Sequence, residues 1–220
     1  MAAWSYSSLS LFQQCPKKYY HLRVAKDFKE PETKHLTYGK LVHEAAEFYI
    51  KNDVPLPAQY KFMEEPLEKL KAIGGEHLCE YRMGLTQDLN PCDFFSKDVW
   101  WRGVADLVIL KDDKAFLVDY KTGSSSKYAD TKQLEILSLA LFAHFPKIKR
   151  IKAGLLFVVA NDFVKVEYDT SAQQVHWVKW MEDTAQLAAA YQNDVWNARP
   201  NFSCKQYCAV TSCPHNGRHH

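Results

Sequence analysis

Chemistry is most concentrated in Phe116-Leu117-Val118-Asp119-Tyr120-Lys121-Thr122-Gly123. An apolar run of strand length ends in a carboxylate, an ammonium follows two residues later, and a glycine-containing turn closes the segment. Side chains alternate along a strand with period two, so Asp119 and Lys121 share a face while Tyr120 points to the other. A carboxylate in that position can hold a divalent cation, and a neighbouring lysine can orient a water or steady a negatively charged transition state. An ordinary surface ion pair at a strand end has the same pattern, so the tripeptide takes its meaning from what surrounds it.

The flanking elements bring a second carboxylate. Residues 98–110 predict a strand rich in large apolar groups, and Lys111-Asp112-Asp113-Lys114 is a connection of hairpin length. Ala115 to Lys121 is then the partner strand, antiparallel to the one that carries Asp106, and the pairing brings Asp106 near Asp119. Two carboxylates and a lysine on adjacent strands are a donor set for a divalent cation.

Upstream, Thr37 to Asn52 predicts a helix with Leu41, Val42, Ala45, Ala46, Phe48 and Tyr49 at helical spacing. His43 lies beside that stripe, where a lone histidine is ordinarily structural. Before it, Ser7 or Ser8 would cap a short helix that breaks at Cys15-Pro16. Lys17 to Arg23 mixes basic and aromatic residues, a pattern that suits either phosphate contacts with stacking platforms or a partly exposed amphipathic turn. Residues 54–71 read as a linker and then a helix, and Glu76 to Met83 as more helix or the start of a strand. Downstream, Asp130 to Phe145 predicts a helix with Gln133 and Glu135 in its first turn. Strands over Ile151 to Ala160 and Phe163 to Tyr168 follow, then a long helix from about Ser171 to Ala198. Helices, strands, one helical crossover and more strands describe an α/β fold, a central mixed β-sheet flanked by helices.

With 220 residues, 47% of them hydrophobic and 14% aromatic, the chain can bury a single core, so disorder is not the expectation. The net charge of +2 decides nothing about nucleic acid, because a local patch rather than a total governs that binding. No apolar run approaches the roughly 20 residues that cross a bilayer, and the first residues lack a secretory pattern. The expectation is a soluble, cytoplasmic protein with no membrane partner. Of six cysteines, Cys204, Cys208 and Cys213 crowd together late in the chain, whereas Cys15, Cys79 and Cys92 stand apart. In a reducing compartment such a group indicates metal ligation rather than disulfides. Cys79 and Cys92 fit the role of small buried apolar residues.

Four separated motifs, Gly39-Lys40-Leu41-Val42-His43, Gly103-Val104-Ala105-Asp106, Val118-Asp119-Tyr120-Lys121-Thr122-Gly123 and Gln133-Leu134, fall in an order that resembles the PD-(D/E)XK nuclease superfamily. More narrowly, the set is similar to its RecB-like exonuclease branch, including the iron–sulfur nucleases of CRISPR adaptation and the AddB type, over about residues 4–215. The resemblance implies a restriction-endonuclease-like core and a metal-dependent DNA nuclease. His43, Asp106 and Asp119 would bind Mg²⁺ or Mn²⁺, with the Tyr120 carbonyl as a further ligand. Lys121 would position or activate the attacking water, and Gln133 would fix the site from the following helix. The second acidic position is Asp119 rather than a glutamate, and Leu137 and Ser138 stand where many relatives carry a tyrosine.

Cys15 with Cys204, Cys208 and Cys213 resembles the four-cysteine arrangement that holds a [4Fe–4S] cluster in these nucleases. Zn²⁺ is the alternative, on the same thiolates or with His215 in place of one. The implied organisation is one nuclease domain over 1–220, with 1–36 and 199–220 forming a cysteine clasp around a 37–198 core. The implied activity is an exonuclease acting on single-stranded DNA or DNA ends, stand-alone, from a phage or a CRISPR-like system, in a bacterial, archaeal or phage-infected cell. Two other readings stay open: a non-catalytic DNA-binding or scaffold subunit partnering a recombination or integration complex, and a structure-specific endonuclease.

Overall fold

Six strands form one sheet: β1 (Glu76–Leu85), β2 (Pro91–Cys92), β3 (Trp101–Lys111), β4 (Lys114–Lys121), β5 (Arg150–Phe157) and β6 (Asp162–Asp169). Their spatial order is β2-β1-β3-β4-β5-β6. This is a computed structural model, and it describes residues 2–217; Met1 and the Arg218-His219-His220 end of the expected clasp segment lie outside it. All neighbours pair antiparallel except β4 and β5, which run parallel. A parallel pair needs a crossover, and helix α5 (Lys132–His144) supplies it. Eight of its thirteen residues are buried, from Leu134 to Phe142, as a helix packed against a sheet requires. The β3–β4 connection closes in two residues between the paired Lys111 and Lys114, with Asp112 at φ 55°, a conformation that aspartate tolerates better than most residues.

The other face of the sheet is covered by α3 (Lys34–Asn52) and α4 (Glu64–Lys71). Val42, Ala46, Met63 and Leu67 from this side meet Leu107, Ile109, Val118 and Tyr120 in one buried cluster. Each large side chain fully withdrawn from water there contributes about 1.5–3 kcal/mol. The mixed sheet with helices on its faces is the α/β architecture that the sequence predicts, and Glu76 to Met83 resolves as strand rather than helix.

Strands β1 and β3 change phase halfway along. Cys79 packs against the cluster under α3, with its partner Leu107 inside that cluster. Two residues on, Tyr81 packs instead against α5 and its end, with ring centroids 5.5 Å from Phe145 and 6.1 Å from His144. On β3 the same reversal occurs, because a Cβ on Gly103 would meet Leu137 of α5 at 3.0 Å. Residues two apart on a regular strand share a face. The slip therefore falls at Glu80 and Asp106.

The chain divides into two compact units, Lys34–Trp177, which holds the sheet, and Met1–Thr33 with Val178–His220. Within the second, α1 (Tyr6–Gln14) is capped by Ser5 in a reciprocal box with Ser8 rather than by Ser7 or Ser8 alone. Cys15 caps the short α2 (Pro16–Tyr19), which continues as one π-helical turn through Val24. Trp4 stacks on Trp180 at 5.9 Å and Tyr19 on Trp196 at 5.9 Å. The long helix α6 (Gln173–Asn193) stops before the predicted Ala198, with Asp194 in the left-handed region at φ 51° as its stop. Among the described residues no helix is long and apolar enough to cross a membrane.

Candidate metal centre

The site lies where the sheet comes apart. β3 and β4 pair from the hairpin to Leu107↔Val118 and no further. β1 and β3 pair at Cys79↔Leu107 and again at Tyr81↔Ala105, so Asp106 interrupts the ladder on both sides. The gap is filled by its own side chain, for Asp106 Oδ2 accepts the Tyr120 backbone N–H at 2.7 Å. Opposite it, Glu80 sits at φ 49°. For a non-glycine residue this conformation costs on the order of 1–3 kcal/mol, and such strain is characteristic of functional positions.

Three side chains converge there. Ligand atoms of His43, Glu80 and Asp106 all lie within 4.8 Å of one another. Val42 and Ala46 are buried and anchor α3, and one residue on from Val42 the imidazole of His43 reaches Asp106, with Nδ1 3.3 Å from Oδ2. The Tyr120 ring stands edge-on to that imidazole, 5.8 Å between centroids, so the buried tyrosine fixes the orientation of the histidine. Beside this group Asp119 is 3% exposed. Lys121 Nζ lies 2.5 Å from Asp119 Oδ2 and donates to Gln133 Oε1 at 3.1 Å. The group opens on a cleft of about 840 Å³, bordered by Gly39, His43 and Glu44 of α3 and by Glu80, Arg82 and Asp106 of the sheet.

The electrostatics of the group are those of too many carboxylates. Burial, then the charge of Asp106, pushes the Asp119 carboxyl up from 3.8 to about 6, against the pull of Lys121 and His43. Burial and Asp106 raise Glu80 as well. For His43, burial acts to lower the pKa, but the hydrogen bond and charge of Asp106, with the charges of Asp119 and Glu80, outweigh it and the imidazole is raised. Crowded carboxylate oxygens with one imidazole form a donor set for a divalent cation.

Of the residues predicted from sequence, His43 is thus joined to Asp106, and Lys121 to both Asp119 and Gln133. Tyr120 presents its amide to Asp106 and its ring to His43. Glu80 is absent from the sequence prediction. Its signal is its place opposite Asp106, which becomes visible only once the register of β1 against β3 is known.

In the other unit, Cys15, Cys204, Cys208 and Cys213 line one small cavity together with His215. Among the described residues no three of these sulfurs come within 4.8 Å of one another. Backbone N–H groups point at two of them: Lys18 and Arg199 donate to Cys15 Sγ at 3.5 and 3.4 Å, and Asn201 to Cys204 Sγ at 3.4 Å. Cys79 borders the metal-centre cleft and Cys92 lies on β2, both as free thiols.

The sequence matches the family model of the PD-(D/E)XK nuclease superfamily over residues 3–214. No curated protein matches it significantly. Among solved structures, a candidate exonuclease from Eubacterium rectale is similar at 14% identity with a TM-score of 0.57, over 97% of this chain and 88% of that one. The protein SSO0001 aligns at 14% identity with a TM-score of 0.46, over 98% and 88%.

Proposed function

Because the chain belongs to the PD-(D/E)XK nuclease superfamily, we propose that it is a RecB-like, divalent-metal-dependent exonuclease that hydrolyses phosphodiester bonds of single-stranded DNA or of DNA ends. The observation that carries this reading is the convergence of His43, Glu80 and Asp106 within 4.8 Å beside the linked trio Asp119, Lys121 and Gln133. The similarity in fold to a candidate exonuclease supports the exonuclease part. His43, Glu80, Asp106, Asp119 and the Tyr120 carbonyl would hold Mg²⁺ or Mn²⁺, which when bound polarises a phosphate and lowers the pKa of water. Lys121 holds the attacking water by a hydrogen bond and faces the charge that grows on the phosphate oxygens. Gln133 keeps the Lys121 side chain from swinging out to solvent. The water oxygen bonds to phosphorus and gives up a proton to solvent, the bond to the leaving sugar oxygen breaks, and that oxygen takes up a proton.

End-labelled linear DNA, single- and double-stranded, and a circular single strand test this directly in Mg²⁺ or Mn²⁺. Linear substrate should be degraded from its ends and the circle spared; equal cutting of the circle would refute the exonuclease assignment. Lys121→Ala should lose a hundredfold or more in rate with an unchanged circular-dichroism spectrum. Cleavage by that variant at the wild-type rate would refute the mechanism.

The same reading assigns Cys15, Cys204, Cys208 and Cys213 to a [4Fe–4S] cluster that clasps segments 1–36 and 199–220 of a single nuclease domain. Backbone N–H groups already donate to the sulfurs of Cys15 and Cys204, and hydrogen bonds to ligand sulfurs are among the features of such clusters. A single zinc, with bonds near 2.3 Å, draws four sulfurs to about 3.8 Å of one another. No three of these sulfurs lie even within 4.8 Å of one another among the described residues. Anaerobic purification should give a brown protein with iron and sulfide, and a colourless one with stoichiometric zinc would overturn the assignment.

A further inference from the structure

Phe95 is 72% exposed, and Arg82 beside its ring borders a cleft that the nuclease reading fills with DNA. Its setting is built rather than accidental. Gly84 of β1 has no Cβ, and one placed there would lie 2.9 Å from the carbonyl oxygens of both Cys92 and Asp93. The missing side chain lets β2 and the turn after it press down onto β1, and Ser96 N–H closes that turn on Asp93 O at 2.9 Å. Phe94 and Phe95 are presented from this tethered turn, their rings 5.0 Å apart and steeply inclined at 80°. The Arg82 guanidinium lies 5.8 Å from the Phe94 ring and 5.9 Å from the Phe95 ring, and that of Arg102 lies 5.4 Å from Phe94. Two cations therefore brace the aromatic pair from the sheet side.

The phase slip at Glu80 and Asp106 puts this group next to the metal centre. Arg82 borders the same cleft as His43, Glu80 and Asp106. It is two residues along β1 from Glu80, about 7 Å, and Arg102 is four residues along β3 from Asp106, about 13 Å, at roughly 3.3 Å per residue. In stacked DNA, at roughly 3.4 Å per nucleotide, these distances amount to about two to four nucleotides.

We propose that Phe95, braced by Phe94, Arg82 and Arg102, is a stacking platform for an unpaired base of the DNA strand whose phosphate lies at the metal centre. The proposal rests on the nuclease reading and narrows its substrate to a strand with unpaired bases. In a duplex both faces of a base are occupied by its neighbours, whereas a single strand offers a free π-face to an exposed aromatic ring, and arginines beside the ring meet the phosphates. Asp93 and Asp98 lie in the same loop, so the surface is an aromatic and guanidinium pair rather than a broad basic face. Recognition is accordingly of the base as well as of the backbone.

The experiment is fluorescence anisotropy with a labelled oligothymidylate, and with an abasic oligomer of the same length, in Ca²⁺ instead of Mg²⁺. Phe95→Ala should weaken oligothymidylate binding about fivefold or more, Phe95→Trp should restore it, and neither should change binding of the abasic oligomer. Equal affinity of Phe95→Ala and wild type for oligothymidylate would overturn the platform, as would an equal loss on both oligomers. The two readings fail separately: wild-type protein that shows the base-dependent binding but cleaves no DNA in Mg²⁺ or Mn²⁺ refutes the nuclease reading and leaves the platform standing.

Discussion

Replacing Asp119 by asparagine should stabilise the cation-free protein at neutral pH while abolishing cleavage. The carboxyl ionises near 3.8 in the unfolded chain and at about 6 in the folded one, because it is buried and faces Asp106. Below about pH 3.8 both states carry the proton and the group has no influence on stability. As pH rises the unfolded chain releases the proton first, so stability falls, and above pH 6 the penalty is complete. At 1.36 kcal/mol for each pH unit between the two values it amounts to about 3 kcal/mol. At pH 4.5 the same linkage leaves about 1 kcal/mol. Asparagine is a neutral isostere and escapes the penalty throughout.

For a chain of this length each kcal/mol moves the melting temperature by about 2–4 °C, so the variant should melt about 6–12 °C above wild type at pH 7.5. At pH 4.5 the advantage should shrink to about a third of that. Thermal unfolding followed by circular dichroism after EDTA treatment checks both points. Adding Ca²⁺ should then raise the wild type more than the variant, since only the intact carboxylate gains from a cation. A variant less stable than wild type at pH 7.5, or an advantage independent of pH, would refute the picture of a carboxylate held at a cost.

Two further substitutions probe the same region. Glu80→Gly should be more stable to denaturant than Glu80→Gln by about 1 kcal/mol, because glycine tolerates φ 49°, and both should lose Mn²⁺ affinity by isothermal titration. Gly103→Ala should lower stability by about 1–3 kcal/mol, read as a lower urea midpoint. Its Cβ would lie 2.7 Å from the Trp101 ring and 3.0 Å from Leu137, both of them buried and unable to yield.

The sheet and its crossover helix are legible in the sequence because they rest on periodicity and length. An apolar run over Phe116 to Val118 that ends in Asp119, a polar connection of hairpin length before it and a helix after it with a broad apolar side leave few alternatives. Asp106, Asp119 and Lys121 stand out by residue type and strand position, whereas His43 and Gln133 enter only through the family resemblance, and the structure places His43 against Asp106 and Lys121 against Asp119 and Gln133. What escapes the sequence depends on backbone conformation. Glu80 looks like any glutamate in a half-polar segment, since neither its positive φ nor its partner across the strand is written in residue type. Ser5 caps α1 through a serine at the third position rather than the usual glutamate or glutamine. Helix α6 ends at Asn193 on an aspartate in the left-handed region, where glycine would have given the stop away.

The local faults in the sheet are one device. Pairing fails on both sides of Asp106, Glu80 adopts a strained φ, and the pleat changes phase at the same point. A regular ladder would send Glu80 and Asp106 to the face covered by α5, away from His43 on α3. The break instead lets Asp106 reach His43 on α3 and turns Glu80 toward the cleft. Past the break, the changed phase delivers Arg82 to that cleft, so the fault that gathers the ligands also sets the cation beside them. Crowding at Asp119 is relieved by a cation, and strain at Glu80 by a residue that tolerates its φ, which is why substitutions that remove them should stabilise the cation-free protein and disarm it together.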